Sequence, residues 1–124
     1  MTTRYIVIKD VECLELTSRH ITLSRLIIYG FGGGFIEGSA HEDLTIAAPF
    51  CAMIGAALII PSYRLAPEHP WPAAIDDGFS VYHPLCERPL ACVGESAGGN
   101  QVLAAMLRAK RAGLPLTRAA ALLS

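Results

Sequence analysis

Two short stretches hold residue types that could do chemistry. The first is "ACVGESAGGN", in which Ser96 stands between Gly94 and Gly98 where an apolar run ends and a helical pattern begins. A serine on so tight a strand-to-helix turn is held out as a nucleophile, its flanking residues must be small, and a helix N-terminus lies beneath its oxygen. The bland reading is a serine that caps a helix, because serine is common at that position. The second stretch is "GFGGGF", Gly30 to Phe35, directly after the apolar run "LIIY". Consecutive glycines let backbone amides approach a ligand closely and meet a developing oxyanion. A dinucleotide fingerprint starting at Gly30 fails at Phe35, and a phosphate loop running from Gly33 to Gly38 fails at Ser39, which stands where lysine is needed.

The elements that must position these stretches alternate. Arg4 to Thr17 reads as one or two strands, Leu26–Tyr29 as a buried parallel strand, and "AALII" as a second. Between them a helix is expected from Ser39 as cap, with Glu42 and Asp43 in its first turn, a kink at Pro49 and a stop at Gly55. "YRLAPEHPWP" is a loop stiffened by prolines. Helices follow over Ala73 to Cys86 and Ala97 to Ala112, with the strand "LACVG" between them, and "AAALLS" starts a fourth parallel strand. This order predicts an α/β domain over residues 1–124, mostly parallel sheet with helices on both faces.

Composition narrows the functional classes. Of the 124 residues 52% are hydrophobic, and the net charge of −1 gives no electrostatic case for nucleic acid or an anionic membrane. The longest apolar run is punctuated by Pro49 and Gly55 and is not expected to span a membrane. Cys13, Cys51, Cys86 and Cys92 show no CxxC spacing and read as buried thiols of a cytoplasmic protein. "HEDLT" lacks the second histidine of a zinc-binding HExxH, so no metal site and no cofactor are expected.

Three ordered motifs, "IIYGFGGGFIEGS", "YRLAPEHPWPAAIDD" and "GESAGGN", together resemble the hormone-sensitive lipase-like family of bacterial carboxylesterases, which have the α/β-hydrolase fold. The resemblance runs from about Leu26 to the last residue and implies a serine hydrolase acting on small acyl esters. It makes Ser96 the nucleophile, gives the oxyanion hole to the amides of Gly33, Gly34 and Ala97, and places Gly32 and Glu95 behind them. Glu95 stands where the family usually has Asp, and Phe31 where it has a histidine that helps hold the loop. The family's acid and histidine follow the serine, but residues 97–124 contain no His, Asp or Glu. His20, His41, His69 and His83 all precede it. The sequence therefore reads as the first part of a catalytic domain, its C-terminal strands missing. The catalytic histidine and acid would come from another chain or a missing C-terminal part; the alternatives are a non-catalytic partner subunit, a decayed gene product or a truncation. A sheet cut at "AAALLS" would expose an apolar edge, so self-association or a complementing chain is expected.

Overall fold

The computed structural model describes residues 1–19, 25–88 and 90–124. Among them, six strands form one sheet: β1 (Thr2–Ile8), β2 (Val11–Thr17), β3 (Leu26–Gly30), β4 (Ala57–Pro61), β5 (Leu90–Glu95) and β6 (Ala119–Leu123), in the spatial order β1-β2-β4-β3-β5-β6. β1 and β2 are an antiparallel hairpin and β2 runs antiparallel to β4, while β4, β3, β5 and β6 are parallel. The hairpin turns on Lys9 and Asp10, both at positive φ as a two-residue turn requires. Neither is glycine or asparagine, which is why the sequence left one strand or two undecided.

The helices α1 (Leu44–Ile54), α2 (Ala73–Leu85) and α3 (Ala97–Arg111) connect the parallel strands. α1 packs on one face of the sheet and α2 with α3 largely on the other, as expected of an α/β domain. β3 is central and buried at every residue, and the two cores divide around it. Ile28, Val81, Tyr82, Cys92, Val102 and Ala105 pack on the α2–α3 face. Ile27, Tyr29, Ala47, Cys51, Leu58 and Val93 pack on the α1 face. α2 and α3 cross closely at Gly78, where an added Cβ would stand 2.7 Å from Gln101 Cγ.

One helix start differs from the sequence expectation. α1 begins at Leu44, so its first turn contains no acid. Ser39 Oγ accepts the Glu42 amide in a preceding turn, and the Asp43 carboxylate receives the Tyr29 hydroxyl at 2.8 Å instead of capping the helix. The helix runs through Pro49 to Gly55, which closes it in the left-handed conformation (φ 68°). The four cysteines are buried and free. Among the described residues no helix is long and apolar enough to cross a membrane.

The topology also fixes where a site can form. From β3 the chain winds through α1 to β4 on one side, then crosses back through α2 to β5 on the other. The strand order thus reverses between β3 and β5, and crevices for ligands open at the carboxyl ends of such strands. The "GFGGGF" loop leaves β3 and the Ser96 turn leaves β5 at this point, from Gly30 and Gly94, which are register partners.

Candidate functional site

Ser96 occupies the N-cap position of α3 but does not act as a cap: its hydroxyl makes no capping hydrogen bond, and its backbone lies at φ 53°, ψ −118°. That conformation is sparsely populated for a residue with a Cβ and costs on the order of 1–3 kcal/mol. Its neighbours hold it there. The Ser96 amide donates to the Leu123 carbonyl of β6 at 2.7 Å, and the Ser96 carbonyl accepts the Gly99 amide at 2.9 Å. Gly94 has no room for a side chain, because a Cβ would stand 2.5 Å from Gly99 Cα. Gly98 has none either, since its Cβ would meet the Gly30 carbonyl and lie 2.7 Å from the Phe31 oxygen. Main chain therefore touches main chain where the end of β3, the end of β5 and the start of α3 converge. Ser96 itself is exposed. Beside it Asn100, Leu103, Leu122 and Leu123 wall an open cleft of about 440 Å³.

The glycine loop sits against this turn. Gly33 (φ 138°) and Gly34 (φ 66°) adopt conformations suited to glycine, and the Gly33 carbonyl closes a turn by accepting the amides of Ile36 and Glu37 at 3.2 and 3.1 Å. Among the described residues no acceptor takes up the amides of Gly33, Gly34 or Ala97. Ala97 is the first helical residue, so its free amide also carries the positive end of the helix dipole. Gly32 and Glu95 are brought together: a Cβ on Gly32 would stand 2.7 Å from the Glu95 carboxyl carbon.

Phe31 takes the place of a polar anchor by packing. Its ring is buried and stacks on Tyr63 with centroids 4.1 Å apart and planes 7° from parallel. The Tyr63 hydroxyl donates to the Phe31 carbonyl at 2.5 Å. Burial, with the carboxylates of Asp43 and Glu95 nearby, pushes the Tyr63 phenol above its ordinary range, so the group stays a donor. Next to it, Arg64 is tied to the buried Asp77 of α2 through its amide (2.8 Å) and its guanidinium (3.0–3.1 Å). Sequence reasoning gave "YRLAPE" only an architectural part and did not single out Tyr63 as a partner of Phe31. The available signal was an aromatic residue two positions past β4, the strand that pairs with β3.

Among the described residues no histidine bonds the Ser96 hydroxyl. His41, His69 and His83 are exposed, and His83 lies beside Phe79 with ring centroids 5.6 Å apart. His20 lies outside the described residues. Nor does a carboxylate bond the Ser96 hydroxyl among the described residues. The arrangement can present a serine oxygen next to unpaired amides, but within the described residues it holds no base for the serine proton.

Residues 27–124 match the α/β-hydrolase fold family. An acetyl-hydrolase of Streptomyces hygroscopicus is 32% identical over 105 residues, covering 81% of this chain and 35% of that protein. The esterase LipI of Mycobacterium tuberculosis is 36% identical over 103 residues, covering 73% of this chain and 31% of its own length. A solved hormone-sensitive lipase from a metagenome library superposes with a TM-score of 0.92 at 32% identity, over 98% of this chain and 43% of that one. The chain thus spans about a third of the curated relatives it matches.

Proposed function

This chain belongs to the α/β-hydrolase fold family, in its hormone-sensitive-lipase-like branch, and from that premise we propose that it carries the nucleophile and oxyanion loop of a serine carboxylic ester hydrolase. Ser96 Oγ attacks the carbonyl carbon of a small acyl ester, and the amides of Gly33, Gly34 and Ala97 receive the oxyanion of the tetrahedral intermediate. The observation that carries this reading is the strained Ser96 backbone, φ 53° and ψ −118°, on a turn whose flanking glycines exclude side chains. A helix-capping serine needs neither feature. Glu95, against Gly32, backs the loop from behind. The name of the Streptomyces relative, an acetyl-hydrolase, supports a short acyl group.

The histidine and the acid come from polypeptide outside these 124 residues, in the same or a complementing chain. Without them a serine hydroxyl is a poor nucleophile at neutral pH, and the rest of such a site retains only about 10³–10⁴-fold catalysis over water. The completing polypeptide pairs along β6, which is exposed at all five residues and carries no charge, proline or bulge to discourage pairing. The buried free thiols support a reducing, cytoplasmic setting.

The test is labelling with a fluorophosphonate serine probe, applied to the protein isolated under native conditions from its own cells, with Ser96→Ala as control. Labelling that disappears in the variant is the expected result. An unlabelled wild type would overturn the reading and leave a non-catalytic subunit that keeps the fold.

A further inference from the structure

The glycine loop is bracketed by two aromatic residues, Phe31 and Phe35, and one side chain touches both. Tyr63 stacks flat on Phe31 and meets the Phe35 ring edge-on, with centroids 5.9 Å apart at 61°. Its hydroxyl also holds the Phe31 carbonyl. A second bond joins the two segments further along, from the Ala66 amide to the Phe35 carbonyl at 2.8 Å. The loop "GFGGGF" is therefore grasped at both ends by the segment 63–66, and glycines 32–34 are suspended between the grips. Three glycines in a row have little conformational preference of their own. Their shape must be imposed from the ends.

The grip is itself braced. Tyr63 is 3% exposed, and the next residue, Arg64, is bonded through backbone and guanidinium to Asp77. Asp77 belongs to α2, which packs on α3, where Gln101 Nε2 donates to the Ala74 carbonyl at 2.8 Å. α3 begins at the Ser96 turn. The loop and the serine turn are thus tied to one scaffold by two routes: direct backbone contact at Gly98, and the path Phe31–Tyr63–Arg64–Asp77–α2–α3.

We propose that Tyr63 is a positioning residue for the glycine loop, which it holds through its hydroxyl on the Phe31 carbonyl and its ring between Phe31 and Phe35. It touches no reacting atom; it limits the conformations open to Gly33 and Gly34. Its significance for oxyanion binding rests on the esterase reading above, but the clamp is a property of the fold and can be measured without catalysis.

The experiment is amide hydrogen exchange on the 124-residue chain and on two variants. Tyr63→Phe removes the hydroxyl and keeps the ring, and Phe31→Leu removes the stack and keeps the carbonyl. The reporters are the Ile36, Glu37 and Ala66 amides, each bonded within the loop or to it. In both variants their exchange is expected to quicken by roughly 2- to 12-fold, the effect of losing one interaction of ordinary hydrogen-bond strength, while amides of α2 and α3 keep their wild-type rates. Unchanged loop exchange, or an equal rise in the helices, would overturn the proposal; the latter would make Tyr63 a core residue only. If Tyr63→Phe fails to fold, Phe31→Leu decides alone. A wild type that resists the serine probe would count against the esterase reading and leave this outcome intact.

Discussion

Replacing Gly98 with alanine adds one carbon at the most crowded backbone junction of the protein. The new Cβ would run into the Gly30 carbonyl and stand 2.7 Å from the Phe31 oxygen, where ordinary contact begins near 3.4 Å. Neither obstacle can swing aside: both are main chain at the end of β3, which is hydrogen-bonded to β4 and β5. Overpacking of this kind costs about 1–3 kcal/mol and tends to the upper end when backbone must move. Against it stands a gain of up to about 1 kcal/mol from putting alanine for glycine in a helix. The clash wins, by about 1–2 kcal/mol. At Gly99, one residue on, the nearest atoms to an added Cβ are the Gly94 oxygen at 3.5 Å and Leu122 Cδ2 at 3.6 Å, which is normal packing. There the helix term is left nearly alone, and Gly99→Ala should be neutral or up to about 1 kcal/mol more stable. Urea unfolding of the two variants should give midpoints on opposite sides of the wild type, or one below and one level, about 1 M apart for a chain of this size. A Gly98→Ala protein as stable as the wild type would refute the close approach of β3 and α3 on which the Ser96 turn depends.

Other perturbations test the surroundings of the site. Gln101→Leu keeps the bulk of a side chain that is 2% exposed but removes its bond to the Ala74 carbonyl, which stays paired within α2, so stability should fall by about 0.5–1.5 kcal/mol in the same urea assay. Burial pushes the Cys13 thiol up to about 12 and the Cys92 thiol up to about 11, and raises the Tyr29 phenol through burial and its bond to Asp43. Groups raised in the folded state keep their protons there while the unfolded chain loses them. Their contribution is therefore complete below the ordinary thiol range near pH 9 and is lost as pH climbs towards 11–12. Urea midpoints measured from pH 8 to 11 should decline accordingly, and a flat profile would count against the buried thiols. At pH 8 a thiol reagent should find the native chain nearly inert and the unfolded chain fully reactive.

Much of the architecture was legible because it depends on local rules. Continuous apolar runs marked β3, β4 and β5, and Gly55 marked the end of α1. Where a local signal had a tertiary competitor, the reading slipped. Asp43 looked like a first-turn acid behind a Ser39 cap, but Tyr29 claims its carboxylate, and the helix starts only at Leu44. Gln101 was not singled out, because a polar residue within an apolar stripe declares itself only when its buried acceptor is known.

The sequence by itself determined that a serine sits on a tight strand-to-helix turn, that a glycine loop follows another buried strand, and that residues 97–124 hold no His, Asp or Glu. Those are facts of residue type and order. Only the tertiary structure decided that the two loops leave neighbouring strands at one register, that Gly98 closes the gap between them, and that Tyr63, with Phe31 beside it, grips the glycines from behind. These depend on β4 and β5 being placed on opposite sides of β3, pairings of Leu26 with Ala57 and with Leu90, 31 and 64 residues on, that no local pattern encodes.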